Sequence, residues 1–319
     1  MFLEKEGKLI YSYDGETVCI EAWGKDALRV RATKNRSFTG RDWALEAKDA
    51  HAGEVEIFED PSAKGGAFAN MYEGTDTSYG KITNGKLHAV IDSGSVITFY
   101  HEDGRVLLKE HFRRLRDEES MPLNIMGREY SNGVGDNFRI VARFVARKGE
   151  KIFGMGQYQQ HELDLKGCML ELAQRNSQVS VPFYLSSIGY GFLWNNPGVG
   201  QVMFANNGTE WVTESGKEID YLVIAGDTPA EIEENYMTLT GKPPMMPEYG
   251  MGFWQCKLRY WNQEQLLSVA RKYKELGVPL DVIVVDFFHW TKQGEFKFDP
   301  KYWPDVPGMC RELKEMGIQ

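Results

Sequence analysis

The sequence predicts a multi-domain chain: an N-terminal all-β sandwich followed by the first two βα units of an incomplete (β/α)8 TIM barrel. Three observations carry this. Up to about residue 225, short alternating or apolar runs are punctuated by the turn dipeptides Asp14-Gly15, Asn84-Gly85, Ser93-Gly94, Asp103-Gly104, Asn132-Gly133 and Lys148-Gly149, as in antiparallel β structure. Around 241–247 a glycine and three prolines interrupt the chain. Beyond them, apolar residues recur at helical spacing next to a continuous β-branched run.

Within the β region, KLHAVID after Asn84-Gly85 places Leu87, Ala89 and Ile91 on one face, and VITFY after Ser93-Gly94 supplies a neighbouring strand. Phe138–Arg147 alternates less cleanly, while VPFYLSS and GYGFLWNN read as two strands of a buried sheet joined at Ile188-Gly189. Two sheets packed face to face bury such strands, so residues 1–225 are expected to form a sandwich.

The segment DTPAEIEENYMTLTGKPPMMPEYG changes register, with Asp227 or Thr228 as N-cap, Pro229 in the first turn and acidic residues following. Gly241 and Pro243, Pro244 and Pro247 stop this helix. Residues 226–247 therefore read as a linking helix and linker, and 248–319 as the start of the barrel. There, GMGFWQC is expected to be a buried strand, and Asn262 with Gln265 resembles a capping box. The helix it opens has the stripe Leu266, Val269, Ala270, Tyr273 and Leu276 and ends at Gly277. The run VIVV after Asp281 is expected to be a parallel strand covered on both sides. Pro304-Asp305 opens a second helix with the stripe Val306, Met309, Cys310, Leu313 and Met316, closed by Gly317. A whole (β/α)8 domain takes roughly 250 residues. The chain is thus expected to be the N-terminal piece of a longer one.

Composition narrows the function. With 46 acidic against 37 basic residues and a net charge of −9, a phosphate-tracking surface is disfavoured, and with it nucleic acid as a partner. The opening residues MFLEKEGKLIYSYDGETV hold no apolar signal core, and no stretch approaches a membrane span. A soluble, cytoplasmic protein without a membrane partner is expected. Cys19, Cys168, Cys256 and Cys310 form no C-x-x-C pair and are expected to be free buried thiols. The six histidines lack metal-ligand spacing, so neither metal nor cofactor is expected. Gly154-Met155-Gly156 lacks a third glycine and a following helix, and reads as a turn. Arg113, Arg114 and Arg116 among Glu110, Asp117, Glu118 and Glu119 read as a solvated charged loop.

In (β/α)8 barrels the reactive face lies at the C-terminal ends of the strands, which points to Asp286 and the loop after it. A carboxylate there either binds polar substrate groups or receives backbone N–H bonds in the turn; residue types alone leave the two even. The loop is long and aromatic, with Phe287, Phe288, Trp290, Phe296, Phe298, Tyr302 and Trp303. A pyranose packs its C–H faces on such rings and offers a hydroxyl edge to a carboxylate. Phe287 and Trp290 lie nearest the strand end; the bland reading, strongest for Phe296, Phe298, Tyr302 and Trp303, is that the rings roof the barrel.

The segments LTGKPPMMPEYGMGFWQCKLRYWNQEQ, VPLDVIVVDFF and FDPKYWPDVPGM resemble the start of the barrel in glycoside hydrolase family 31, which includes α-glucosidases and α-xylosidases. IFGMGQ, LAQRNSQVSVPFYLSS and GYGFLWNN resemble the galactose-mutarotase-like sandwich that precedes it. Together these matches cover roughly residues 80–319, and several ordered motifs are more specific than any one alone.

The resemblance implies a retaining hydrolase of terminal α-linked glucosyl or xylosyl residues. One Asp would act as nucleophile and a second as acid/base, through a covalent glycosyl-enzyme. In the family both come from later strands, so no catalytic residue is expected here and the piece alone is expected to be inactive. By its match in VVDFF, Asp286 is similar to the family's carboxylate that holds hydroxyls of the sugar in the −1 subsite, and Phe287 and Trp290 match pocket-wall positions. Asn176 of QRNSQ lies in a loop resembling one that reaches over the barrel mouth; its other reading is a turn-stabilising Asn. Arg259 is a further substrate-binding candidate, although relatives carry an aromatic at that spacing. The expected partner is an α-linked oligosaccharide or glycoside, with homo-oligomerisation of the full-length enzyme left open. The alternatives are a non-catalytic carbohydrate-binding protein built on the sandwich, and some other (β/α)8 enzyme with an N-terminal sandwich.

Overall fold

The turn dipeptides act where the chain must reverse. Asp14 and Gly15 both take left-handed backbone angles, φ 48° and 73°, the primed geometry that matches strand twist, and they join strands Lys8–Tyr13 (β2) and Glu16–Trp23 (β3). Asn84-Gly85 likewise joins Tyr79–Asn84 (β7) to Leu87–Asp92 (β8). The computed structural model describes residues 1–46, 49–60, 77–111, 113–115 and 123–319. The described chain forms two compact units, Met1–Lys242 and Pro243–Gln319.

The first unit is a β-sandwich of antiparallel sheets. The largest runs in the order Phe2–Lys5 (β1), β2, β3, Ala27–Thr33 (β4), Ile219–Ala225 (β21), Tyr190–Trp194 (β18), Val179–Ser186 (β17) and Ile152–Gln157 (β15), with Ala50–His51 (β5) adding to β3. A second orders Val106–Lys109 (β10), Ile97–His101 (β9), β8, β7 and Glu54–Phe58 (β6). A third orders Arg128–Asn132 (β13), Phe138–Phe144 (β14), Gly208–Gly216 (β20), Gly200–Ala205 (β19) and Met169–Leu172 (β16). One core joins all three: Leu87, Ala89 and Ile91 meet Ile20, Val30, Phe192 and Tyr221 of the first sheet and Phe144, Phe204 and Trp211 of the third.

The outer face of the largest sheet has its own cover. Helix Pro229–Thr240 (α1) sets Ile232 and Leu239 against Trp23, Leu193, Leu222 and Ile224, and Tyr236 stacks on Phe183 at 3.8 Å. Its N-cap is Thr228, whose side chain accepts from the Glu231 N–H. Strand β21 therefore lies between two cores. Tyr221, Val223 and Ala225 face one, Leu222 and Ile224 the other, and all seven of its residues are buried. A continuous apolar run such as YLVIA is what a doubly covered strand requires.

The second unit alternates strand and helix. Trp254–Cys256 (β22) pairs in parallel with Val282–Val284 (β23), joined by helix Gln263–Glu275 (α2) and followed by Val306–Glu315 (α3). Asn262 caps α2 through the Gln265 N–H at 2.9 Å, and the Gln265 side chain returns to the Trp261 N–H at 2.7 Å, one residue earlier than in a standard capping box. Tyr260, Leu266, Leu267, Ala270, Ile283, Trp303, Met309 and Leu313 form its core. Gln319 hydrogen-bonds through its backbone to Asp281 and Ile283, in the place of a further parallel strand.

Several expectations need correction. Strand β22 is not buried: Phe253 and Trp254 are about half exposed, because the described residues of this unit give it one paired neighbour. Only Cys19 is a buried thiol, Cys168 being intermediate and Cys256 and Cys310 exposed. Cys310 leaves the stripe because α3 turns Met309, one position and roughly 100° away, to the core. Gly154-Met155-Gly156 is not a turn but a bulge in β15, with Met155 at φ 70° and buried. A Cβ at Gly156 would meet the Val179 carbonyl at 2.2 Å, so the close strand approach requires glycine. Arg113–Leu115 (β11) pairs with Leu123–Ile125 (β12), while Arg116, Asp117, Glu118 and Glu119 of the expected charged loop lie outside the described residues. Among the described helices none is long and apolar enough to cross a membrane.

Candidate functional site

The site grows from the ends of β22 and β23. Their register sets Cys256 beside Val284, and Asp286 follows two residues beyond the end of β23. The Cys256 thiol donates to Asp286 Oδ2 at 3.2 Å. Burial first, and then the Asp286 carboxylate, push that thiol up from its ordinary pKa, which keeps it protonated as a donor. No backbone N–H reaches the Asp286 carboxylate among the described residues, so most of its acceptor capacity is open to other groups.

The backbone turns sharply here. Asp286 and Phe288 both take left-handed φ values, 61° and 62°, unusual for a non-glycine residue and a genuine outlier for a bulky one. Each costs on the order of 1–3 kcal/mol and concentrates at functional sites. The turn is held from both sides. The Asp286 carbonyl accepts from His289 Nδ1 at 2.8 Å, and Arg259 forms an isolated antiparallel bridge with Asp286. Because a carbonyl only accepts, Nδ1 carries the proton.

The result lifts Phe287 and Phe288 into the open, both about half exposed. Phe287, Phe288 and Trp290 form one aromatic group with centroids 5.6–6.1 Å apart. The Arg259 guanidinium lies over the Trp261 ring at 3.3 Å and the Phe288 ring at 4.7 Å, and its Nε is buried without a hydrogen-bond partner among the described residues. Arg259 is therefore a stacked cation bracing the aromatic group. The remaining rings of the loop diverge: Trp303 is core, Phe298 packs partly against it, and Phe296 and Tyr302 are exposed.

The structure thus brings Asp286, Phe287, Trp290 and Arg259 together in Pro243–Gln319. Asn176 belongs to the other unit. It sits exposed at the tip of a two-residue turn between Arg175 and Gln178, with Ser177 at φ 74°. The turn is held by the Gln178 N–H to the Arg175 carbonyl and by the Gln174 side chain, which bonds both N–H and C=O of Ser180. Among the described residues the Asn176 side chain takes no part in these bonds. Sequence reasoning missed Cys256, Trp261, Phe288 and His289 as neighbours of Asp286. The available signal was that parallel strands end side by side, so the end of one strand points to the end of the next.

Residues 17–202 match the family model for the glycosyl hydrolase 31 N-terminal galactose mutarotase-like domain, and residues 243–319 that for the glycosyl hydrolases family 31 TIM-barrel domain. The first of these covers more than half of the chain. The chain belongs to glycoside hydrolase family 31. This family 31 chain is 41% identical to an uncharacterized family 31 glucosidase of Pseudescherichia vulneris, over 99% of the chain and 59% of that protein. It is 36% identical to an alpha-xylosidase of Saccharolobus solfataricus, over 57% of the chain and 26% of that protein. Its structure resembles that of a family 31 alpha-xylosidase from a soil metagenome complexed with xylose, with TM-score 0.87 and 44% identity over 100% of this chain and 46% of the other. A xylosidase from Aspergillus niger gives TM-score 0.77 and 26% identity over 98% and 44%. The chain spans less than two thirds of the length of each of these proteins.

Proposed function

We propose that this chain supplies the N-terminal part of a retaining α-glycosidase that removes terminal α-linked xylosyl or glucosyl residues. Asp286 would hold sugar hydroxyls by charge-assisted hydrogen bonds, and Phe287 and Trp290 would wall the ring's C–H face. The observation that carries this reading is the Asp286 carboxylate itself. It sits at a strand end beside exposed rings, and among the described residues it takes one thiol donor and no backbone N–H. A structural aspartate would spend its oxygens on the turn. The thiol and the stacked Arg259 position the carboxylate and the rings, and no nucleophile or acid/base is assigned to this chain. Support for the substrate class comes from the relatives named as xylosidases and as a glucosidase. The choice between the two sugars turns on room and partners for a C6 hydroxymethyl group.

The test uses an enzyme that carries this chain and its following barrel strands, assayed on nitrophenyl α-xyloside and α-glucoside. Asp286→Ala is expected to lower kcat/KM by the equivalent of about 2–4 kcal/mol. An unchanged kcat/KM on both substrates would overturn the assignment.

A further inference from the structure

The Met1–Lys242 unit contains a second place built to hold a ligand. A groove of about 780 Å³ runs along one end of the sandwich, with Asn35, Arg36, Arg41, Trp43, Asn196 and Lys217 among its lining residues. That volume falls in the range of sites for ligands of several rings. The site does not depend on the role given to Asp286.

Trp43 is the first unusual feature. It is about half exposed and takes φ 54°, a left-handed conformation that is strained for a bulky side chain. The strain persists because the residues on both sides are fixed. Fully buried Arg29 forks onto Asp220 with bonds of 2.9 and 2.7 Å, reaches Asp42 at 2.8 Å and donates to the Arg41 carbonyl at 2.9 Å. Asn195 donates to the Asp42 carbonyl at 3.1 Å and accepts from the Ala44 N–H at 3.3 Å. Buried Glu218 holds Thr39 through its N–H and hydroxyl at 2.8 and 2.9 Å. Segment 39–44 is thus anchored before Trp43 by the buried charges of Arg29 and Glu218 and after it by the Asn195 amide, and the indole is held at the edge of the groove rather than in a core. Preorganisation of this kind reduces the ordering cost of binding.

Charge is the second feature. Lys217 is neutralised by Asp136 at 2.6 Å, and Glu218 is occupied with Thr39. Among the described residues Arg36 and Arg41 have no carboxylate partner; the Arg41 guanidinium stands 5.2 Å from the centre of the Trp43 ring. The groove's lining thus carries three cations, Arg36, Arg41 and Lys217, against the two carboxylates Asp136 and Glu218, on a chain whose net charge is −9. An indole platform, two guanidinium forks and amide side chains at one surface match a pyranose chain that carries a carboxylate.

We infer that this groove is a second carbohydrate site, which takes a uronate-bearing oligosaccharide by stacking one ring on Trp43 and pairing its carboxylate with Arg36 and Arg41. The test is calorimetric titration of the full chain with glucuronate-bearing xylotriose and, separately, with neutral xylotetraose. The acidic sugar is expected to bind, and its affinity to fall by at least about tenfold in Arg36→Ala/Arg41→Ala and in Trp43→Gly. The glycine variant removes the ring while suiting the positive φ, so its loop stays folded, and an unchanged melting temperature in both variants verifies this. Asp286→Asn is expected to leave this binding unchanged. Equal binding of the neutral sugar, unaltered affinity in the groove variants, loss of binding in Asp286→Asn, or no binding of the acidic sugar would each overturn the proposal.

Discussion

At the scale of single residues, the pair Cys256 and Asp286 couples a thiol to the proposed sugar-binding carboxylate. The two are 30 positions apart in sequence and 3.2 Å apart in space. Since burial and then the Asp286 carboxylate raise the thiol's pKa, removing the charge lowers it and increases the thiolate fraction at a given pH. Asp286→Asn is therefore expected to speed alkylation of Cys256 by iodoacetamide several-fold near pH 8, read by peptide mass spectrometry. Exposed Cys310 serves as the internal control and should not change. Equal rates at Cys256 in both proteins would show that the carboxylate does not govern the thiol. Asp286 itself was legible in the sequence as the residue ending a β-branched run. Its thiol partner was not, because the contact depends on the register between two parallel strands.

At the scale of elements, helix α1 is fastened to the β7–β8 turn by charge. Lys86 donates to Asp227 at 2.6 Å and to Glu231 at 2.7 Å, on the last residues before the helix and in its first turn. The Lys86 hydrogen bonds, as the leading cause, hold both carboxyls below their ordinary pKa. A depressed folded-state value means that this contribution is present above the unfolded pKa of about 4 and is lost as pH falls through the lower folded value. Lys86→Met is expected to flatten that acid-side loss and to speed hydrogen exchange in the first turn of α1 at neutral pH. An unchanged acid limb would assign acid sensitivity elsewhere. The helix, its cap and its end at Gly241 could be read from DTPAEIEENYMTLTG, since those signals are local. Strand order could not. Placing β4 beside β21 pairs residues nearly 200 positions apart, and the buried Arg29–Asp220 ion pair exists only because of that pairing. Trp43 escaped notice for the same reason, its conformation being set by partners remote in sequence.

At the scale of the whole molecule, the chain is two units with a proline-rich connection between their secondary structures. Residues 241–249 are exposed, Met245 and Met246 among them. Limited digestion with proteinase K is expected to nick this stretch before any strand of either unit, leaving a large product close to Met1–Lys242. Earlier cutting within the strands of the sandwich would contradict the two-unit description. Glycine and proline act locally, which is why a break around 241–247 could be expected from the sequence. Its expectation of a buried β22 failed because burial in a parallel sheet depends on how many neighbours are present, which no local pattern encodes.

Strand β21, with cores on both faces, also fixes how the chain tolerates change. An ordinary sandwich strand offers evolution every second position, the one that faces water. Ile219–Ala225 offers none. In a saturation library scored for folded protein, most sandwich strands should show a striped record of accepted and rejected substitutions, whereas these seven positions should form one unbroken block of rejection. Asp220 belongs to that block for a different reason, since a neutral replacement removes the two-bond partner of buried Arg29 and leaves its charge to Asp42 alone. Sequence drift in this part of the molecule is thus confined to its edges and turns, where the groove beside Trp43 lies.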